Sequence, residues 1–171
     1  MEELVAPAAC TVRAAESRDL AAIADIYNDA ILNSVATFDM EPWTPKYAAR
    51  WLEEHRAPYA ALVAERQDEV LGWASLGPFR SKPAYRYTTE NSVYVREDAQ
   101  GNGVGGLLLA RLVQVADENG WHVVIARITA PNEASERLHA RYGFERVGIE
   151  REVGRKFDRW LDVLVMQRVF D

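Results

Sequence analysis

The segment "AQGNGVGGLLLARL", residues 99–112, decides how the rest of the chain is read. Gly101, Gly103, Gly105 and Gly106 crowd into the span 101–106, and Leu107, Leu108 and Leu109 follow at once. Glycine loses more conformational freedom on ordering than any other residue, so a cluster this dense needs a reason. A phosphate loop of the G-x-x-x-x-G-K-[ST] type is excluded, because Leu107 follows Gly106 where that loop has lysine. The dinucleotide pattern G-x-G-x-x-G is matched literally by Gly101, Gly103 and Gly106, but its context is wrong. The polar "REDAQ" (96–100) separates strand from glycines, and no acidic residue closes the next strand, "VVIARIT" (123–129). A plain flexible turn rarely needs four glycines. The remaining reading is a diphosphate cradle. Backbone N–H groups of 101–106 turn toward an anion, and the start of the following helix adds its partial positive charge. No lysine is required, because the amides neutralise the charge by hydrogen bonding.

Outward from this turn, the apolar spacing predicts an alternating architecture. Strands are expected at "CTVRAA" (10–15), "YAALVAE" (59–65), "EVLGWASL" (69–76), "TTENSVYVRE" (88–97), "WHVVIARIT" (121–129), "FERVGIERE" (144–152) and "RWLDVLVMQRVF" (159–170). Helices are expected at 17–32 with Ser17 as N-cap, from Thr44-Pro45 through "KYAARWLEEHR", from the glycines to Asn119, and over "NEASERLHARY" (132–142). Residues 33–43 and 77–85 read as loops. The order β-α-α-β-β-β-α-β-α-β-β implies an α/β (α+β) fold: one domain, residues 1–171, with a mixed sheet carrying helices on its faces.

Composition narrows the function. The 171 residues are 49% hydrophobic and 27% charged, which suits a globular domain with a sizeable core. A net charge of -6 without a Lys/Arg run argues against nucleic acid as a partner. No apolar run is long enough to cross a bilayer, which argues against a membrane. "MEELVAPAAC" (1–10) is read as a flexible start without the features of a signal peptide. Cys10 is the single cysteine, so no internal disulfide forms, which suits a cytoplasmic location. It reads as a buried or edge thiol. No metal site is expected.

Gln100-Gly101-Asn102-Gly103-Val104-Gly105 fits Q/R-x-x-G-x-G/A and thereby resembles the coenzyme A signature of the GNAT acetyltransferases. Asn132 and the run Leu138-His139-Ala140-Arg141-Tyr142-Gly143-Phe144 resemble that family's second landmark. "TTENSVYV" together with "REVGRKFDRWLDVLVMQR" (151–168) is similar to the phosphinothricin and methionine sulfoximine N-acetyltransferase branch. The resemblance implies a mostly antiparallel sheet of about seven strands with about four helices. It implies acetyl-coenzyme A as cosubstrate, a small amino acid-like acceptor, and a homodimer whose subunits complete each other's acceptor sites.

Acetyl transfer to an amine needs a base, donors for the carbonyl oxygen, and an acid for the departing thiolate. Glu90, just before "NSVYV", is either a strand-edge glutamate or the base; the resemblance favours the base. It places unpaired amides at Val93, Tyr94 and Val95, and cofactor contacts along Gln100 to Gly106. His139 stands where many family members have tyrosine and reads as acid or relay, or as a surface histidine on an amphipathic helix; Tyr142 is a second candidate. Asn132 suits both a pantetheine amide and a helix N-cap. Arg80 and Lys82 are either a solvated basic loop or an anion clamp for the acceptor. The resemblance adds Ser81, Asn91, Ser92 and, as an apolar wall, Phe38. His55 and His122 read as structural, His55 with a favourable charge near a helix C-terminus. The tryptophans read as core or interface. The apolar two-faced final strand predicts cover by a second subunit. Direct transfer is expected, because no cysteine accompanies the site. The alternatives are a GNAT enzyme for another amine (aminoglycoside, polyamine, protein N-terminus) and a non-catalytic coenzyme A sensor.

Overall fold

Period-2 and period-3.6 apolar patterns alternate along the chain, and each resolves into its own element. The structure, a computed structural model, describes residues 9–171; the expected flexible start, 1–10, lies outside these but for its last two residues. The elements are β1 (Thr11–Ala14), α1 (Leu20–Asn33), α2 (Pro45–Glu54), β2 (Ala60–Arg66), β3 (Glu69–Pro78), β4 (Thr88–Val95), α3 (Val104–Glu118), β5 (Val123–Ala130), α4 (Glu133–Arg141), β6 (Glu145–Lys156) and β7 (Arg159–Val169). They build one seven-stranded sheet in the order β1-β2-β3-β4-β5-β7-β6. All neighbours are antiparallel except β4 and β5.

Helices cover both faces. α3 packs Leu108, Leu109 and Leu112 onto a core with Ala74, Leu76, Val124 and Met166. On the other face Ile23, Tyr27 and Ile31 of α1 and Trp51 of α2 meet Val63 and Trp73. Thr44 caps α2 by accepting from Tyr47 N–H at 3.2 Å, with Pro45 at the first helical position. The two tightest hairpins turn on residue pairs with positive φ: Gln67-Asp68 and Phe157-Asp158.

Four expectations change. Ser17 does not cap α1, which begins at Leu20. Instead Asp19 accepts from Glu16 N–H at 2.8 Å and pairs with Arg13 at 2.7 Å. His55 carries no favourable charge, because burial lowers its pKa. Its Nδ1 lies 2.7 Å from Trp51 O and donates to that carbonyl at the end of α2. β6 runs on to Lys156, because an irregularity between Glu150 and Gly154 breaks the visible alternation. The two-faced apolarity of β7 is largely satisfied within the chain, since Leu161, Val163, Leu164 and Met166 are all buried. On the β6–β7 hairpin the apolar side chains left open are Val147, Ile149 and Val153 of β6, Phe157 at the turn, and Trp160 and Val169 of β7, with Trp160 62% exposed.

Candidate active site

The parallel pair β4–β5 holds the key. It is paired only over Thr88–Glu90 with Val123–Ile125, although β4 continues to Val95 and β5 to Ala130. The strands part at Glu90 and leave a slot through the centre of the sheet. Arg96 N–H bonds Leu71 O of β3 at 2.9 Å. Amides alternate sides along a strand, so the N–H groups of Val95 and Val93 face the slot and that of Tyr94 faces β3. Gln100 Nε2 donates to Val95 O at 3.1 Å, on the same open side. Side chains alternate too. Glu90, Ser92 and Tyr94 point to the α1 face, while Asn91, Val93 and Val95 point to the α3–α4 face.

A cavity of about 300 Å³ occupies the slot, lined among others by Thr37, Phe38, Glu90, Asn91, Arg127 and His139. Burial raises the pKa of Glu90; Arg127 and Arg80 pull it back, and Glu150 adds to the rise. Its carboxylate is thereby a better proton acceptor than a solvated one. Beside it the 34–43 segment crosses the cavity. Tyr27 donates to Asp39 at 2.9 Å and meets the Thr37 hydroxyl at 2.7 Å, and Tyr94 donates to Ala36 O at 3.2 Å. Burial pushes the Tyr94 phenol up to about 12, so it remains a donor at physiological pH.

On the opposite face His139 is 5% exposed, not a surface residue of α4. Nδ1 lies 2.8 Å from Ser135 O, a pure acceptor, so Nδ1 carries the proton. Nε2 faces Asn91 Nδ2 at 3.0 Å. Burial lowers the His139 pKa. The neutral ring is therefore an acceptor toward Asn91, not a proton donor from Nε2. The Asn91 oxygen, buried in a 7% exposed side chain, has no partner of its own.

The glycine turn divides into two pairs. Gly101 and Gly103 have φ of 75° and 81°, and a Cβ on either would meet nothing within 4 Å. Their backbone, not a neighbour, demands glycine. Gly103 precedes α3 with no side-chain cap, and the first helical bond is Leu107 N–H to Gly103 O at 3.1 Å. The amides of Val104, Gly105 and Gly106 thus lack helical acceptors. A Cβ at Gly105 would lie 3.3 Å from Leu138, and at Gly106 3.3 Å from the Tyr142 hydroxyl. These two glycines let α4 approach α3. Orphan amides, an open slot edge and free space around the turn are an acyl carrier's requirements.

Residues 12–165 match the acetyltransferase (GNAT) domain model. The chain belongs to the GNAT acetyltransferase family. It is 44% identical over 161 residues to a phosphinothricin N-acetyltransferase of Streptomyces coelicolor, covering 92% of this chain and 94% of that one. It is 41% identical over 162 residues to an L-methionine sulfoximine/L-methionine sulfone acetyltransferase of Salmonella typhimurium, covering 94% and 95%. A solved structure of a putative Salmonella typhimurium acetyltransferase with its cofactor acetyl-CoA superimposes with a TM-score of 0.92 at 41% identity, covering 95% of each chain. The mixed, mostly antiparallel sheet expected of a GNAT enzyme is the one observed.

Within this GNAT frame the expected residues fall into groups. Phe38, Glu90, Asn91, Ser92, Val93, Tyr94, Asn132 and His139 all line the central cavity. Asn132 also caps α4, accepting from Ser135 N–H at 3.1 Å. Gln100 to Gly106 border the slot from the α3 side without lining that cavity. Arg80, Ser81 and Lys82 are exposed and do not line it either. Arg80 instead lies over the rings of Phe79 and Tyr85 and borders a neighbouring groove with Arg127 and Glu150. Sequence reasoning missed Arg127, which lines both spaces and pairs with Glu150. A lone charge inside "VVIARIT" was its signal. Ser135, whose carbonyl fixes the His139 tautomer, had none. Among the described residues there is no cluster of three or more His, Cys, Asp or Glu suited to a metal. No described helix is long and apolar enough to cross a membrane.

Proposed function

We propose that the chain transfers the acetyl group of acetyl-coenzyme A directly to the amine of a small amino acid-like acceptor of the phosphinothricin or methionine sulfoximine/sulfone type. The observation that carries this is the slot, open past Glu90, with a carboxylate on one face and a helix N-terminus on the other. The orphan amides of 104–106, the Val93 and Val95 N–H groups and Asn132 fit the cofactor's phosphates and amide-bearing arm. Acetyl-coenzyme A supplies the activated acyl carbon and a thiolate leaving group when bound. The chain's own residues do the rest. Glu90 takes the proton that the amine sheds as the new C–N bond forms. The β4 amides donate to the negative charge that gathers on the acyl oxygen as the C–N bond forms; that charge passes to the departing thiolate as the C–S bond breaks. The proton neutralising the thiolate comes from solvent or from Glu90 itself, because the His139 Nε2 carries none to give in its neutral form.

The exposed row Val147, Ile149 and Val153 on edge strand β6 supports a homodimer. A second copy would bring apolar cover beside the groove that Arg80 borders, and Arg80, with Ser81 and Lys82 of the same exposed loop, would then meet the acceptor's anionic groups. A cytoplasmic enzyme, one catalytic unit per chain, fits these substrates.

A thiol-release assay with acetyl-coenzyme A is the test. Phosphinothricin, methionine sulfoximine and methionine sulfone are expected to turn over. Aminoglycosides, polyamines and an N-terminal peptide amine are expected to be poor. Tight cofactor binding with no thiol released for any amine would replace the enzyme by a sensor.

A further inference from the structure

The 34–43 segment is anchored from two sides, and only one belongs to the cavity wall. Tyr27 and Tyr94 hold it from α1 and β4. The other anchor comes from the far end of edge strand β6, beyond the expected strand "FERVGIERE" (144–152). Lys156 is 4% exposed, and its ammonium donates to Thr37 O at 2.9 Å. Two residues earlier, Gly154 faces the Phe38 ring. A Cβ built there would come within 2.8 Å of Cδ2 and closer still to two other ring atoms. The Phe38 ring therefore occupies a seat that exists only because residue 154 has no side chain. A buried ammonium is costly, and this one serves the segment that crosses the cavity.

We propose that Gly154 and Lys156 are specificity-determining positioning residues: they seat Phe38 and Thr37, and so set how long an acceptor side chain the cavity admits. This rests on the acceptor assignment above. Phe38 lines the cavity between Gly154 and the acceptor space. Methyl bulk at 154 drives the ring away from β6 and into that space. Loss of the Lys156 bond leaves Thr37 held by Tyr27 at its hydroxyl alone and loosens the backbone on which Phe38 sits. Neither change touches the α3–α4 face where the cofactor amides lie.

The test compares kcat/KM for methionine sulfoximine and for its homologue one methylene longer, with acetyl-coenzyme A affinity as control. Gly154→Ala is expected to lower the longer acceptor about tenfold more than the shorter one. In a Phe38→Ala background the same change is expected to have no effect, because the ring it displaces is gone. Lys156→Met keeps the aliphatic stem and is expected to raise the acceptor KM about tenfold with kcat nearly unchanged. It is also expected to speed amide exchange at residues 36–39 about tenfold, whether or not any amine is acetylated. Equal losses for both acceptors, or a Gly154→Ala effect that survives Phe38→Ala, overturns the inference while leaving the transferase reading intact. A parent that acetylates neither compound sinks the acceptor assignment and the specificity role together; altered exchange would then mark a structural latch only.

Discussion

The two faces of the slot are built from different material. On the α3–α4 face the proposed binding groups are backbone: amides of 104–106 and of Val93 and Val95, exposed by helix geometry and by the parting of β4 from β5. On the α1 face they are side chains: Glu90 of β4, Arg127 of β5 and Phe38 of the 34–43 segment. A backbone site suits a ligand common to a whole family, because any sequence that keeps the turn keeps the site. A side-chain site is where relatives with one cofactor diverge in what they acetylate. The comparison predicts that substitutions on one face move cofactor affinity and those on the other move turnover and acceptor choice.

The largest break in that division is expected at Glu90. Glu90→Gln is nearly isosteric, keeps the cavity shape and removes only the proton acceptor. Turnover is expected to fall about 10²–10⁴-fold, with acetyl-coenzyme A affinity unchanged by calorimetry. Because burial raises the Glu90 pKa, the parent's kcat/KM is expected to climb with pH as that carboxyl ionises, and the Gln variant to lose this limb. Equal turnover of parent and variant from pH 6 to 9 would move the base elsewhere.

The backbone face is sharpened by Gly103→Val. A β-branched residue at φ 81° is strained by about 1–2 kcal/mol. A Cβ there meets nothing within 4 Å, so the cost is backbone strain alone, and whatever part of it the free protein sheds by relaxing the turn reappears on binding. Acetyl-coenzyme A affinity is expected to weaken about five- to thirtyfold, with acceptor KM unaffected at saturating cofactor. Unchanged affinity would separate the turn from the cofactor.

The same contrast explains what the sequence disclosed. Element order and type were legible because most strands and helices here keep their periods, and the turn was legible as a glycine cluster, although it was read as room for an anion and the positive φ at 101 and 103 emerges only in the fold. Gly105 and Gly106 looked the same on paper but serve α4, a partner known only once the chain is folded. Lys156 and Gly154 fell outside the expected strand 144–152 because a strand irregularity masked the alternation of β6. His139 lines the cavity, but its tautomer had no signal in the sequence. Proton placement depends on Ser135 O and Asn91, one of which is backbone and the other 48 residues away.

A smaller effect is expected in stability against pH. His139 and His55 are both lowered by burial, so in the window below the ordinary histidine value of about 6.5 the unfolded chain binds protons that the folded one refuses. Stability is present in full above that value and falls as the medium is acidified, by at most about 1.4 kcal/mol per pH unit for each ring. Glu90, raised by burial, works the other way: its folded form holds a proton longer, so ionising it as pH rises above about 4.3 costs stability. Urea midpoints from pH 5 to 8 are expected to rise more steeply in Glu90→Gln than in the parent, since the opposing group is gone. In His139→Gln the rise should be shallower. A parent whose midpoint falls between pH 5 and 7 would contradict the neutral imidazole.

The smallest effect separates the two glycine pairs. Gly106→Ala gains helix propensity of about 0.5–1 kcal/mol within the first turn of α3. Against that, its Cβ would press on the Tyr142 hydroxyl at 3.3 Å, the free end of a side chain able to yield. The two terms nearly cancel, so the melting temperature is expected to stay within a few degrees of the parent. Gly105→Ala meets Leu138 at 3.3 Å and Val95 at 3.7 Å, with less room to yield, and is expected to melt lower than Gly106→Ala. Both are expected to hold acetyl-coenzyme A affinity within about threefold, because their N–H groups are unchanged and their missing side chains face α4. If Gly106→Ala instead abolished cofactor binding in a normally stable protein, a ligand, not a helix, would be what comes closest at that position.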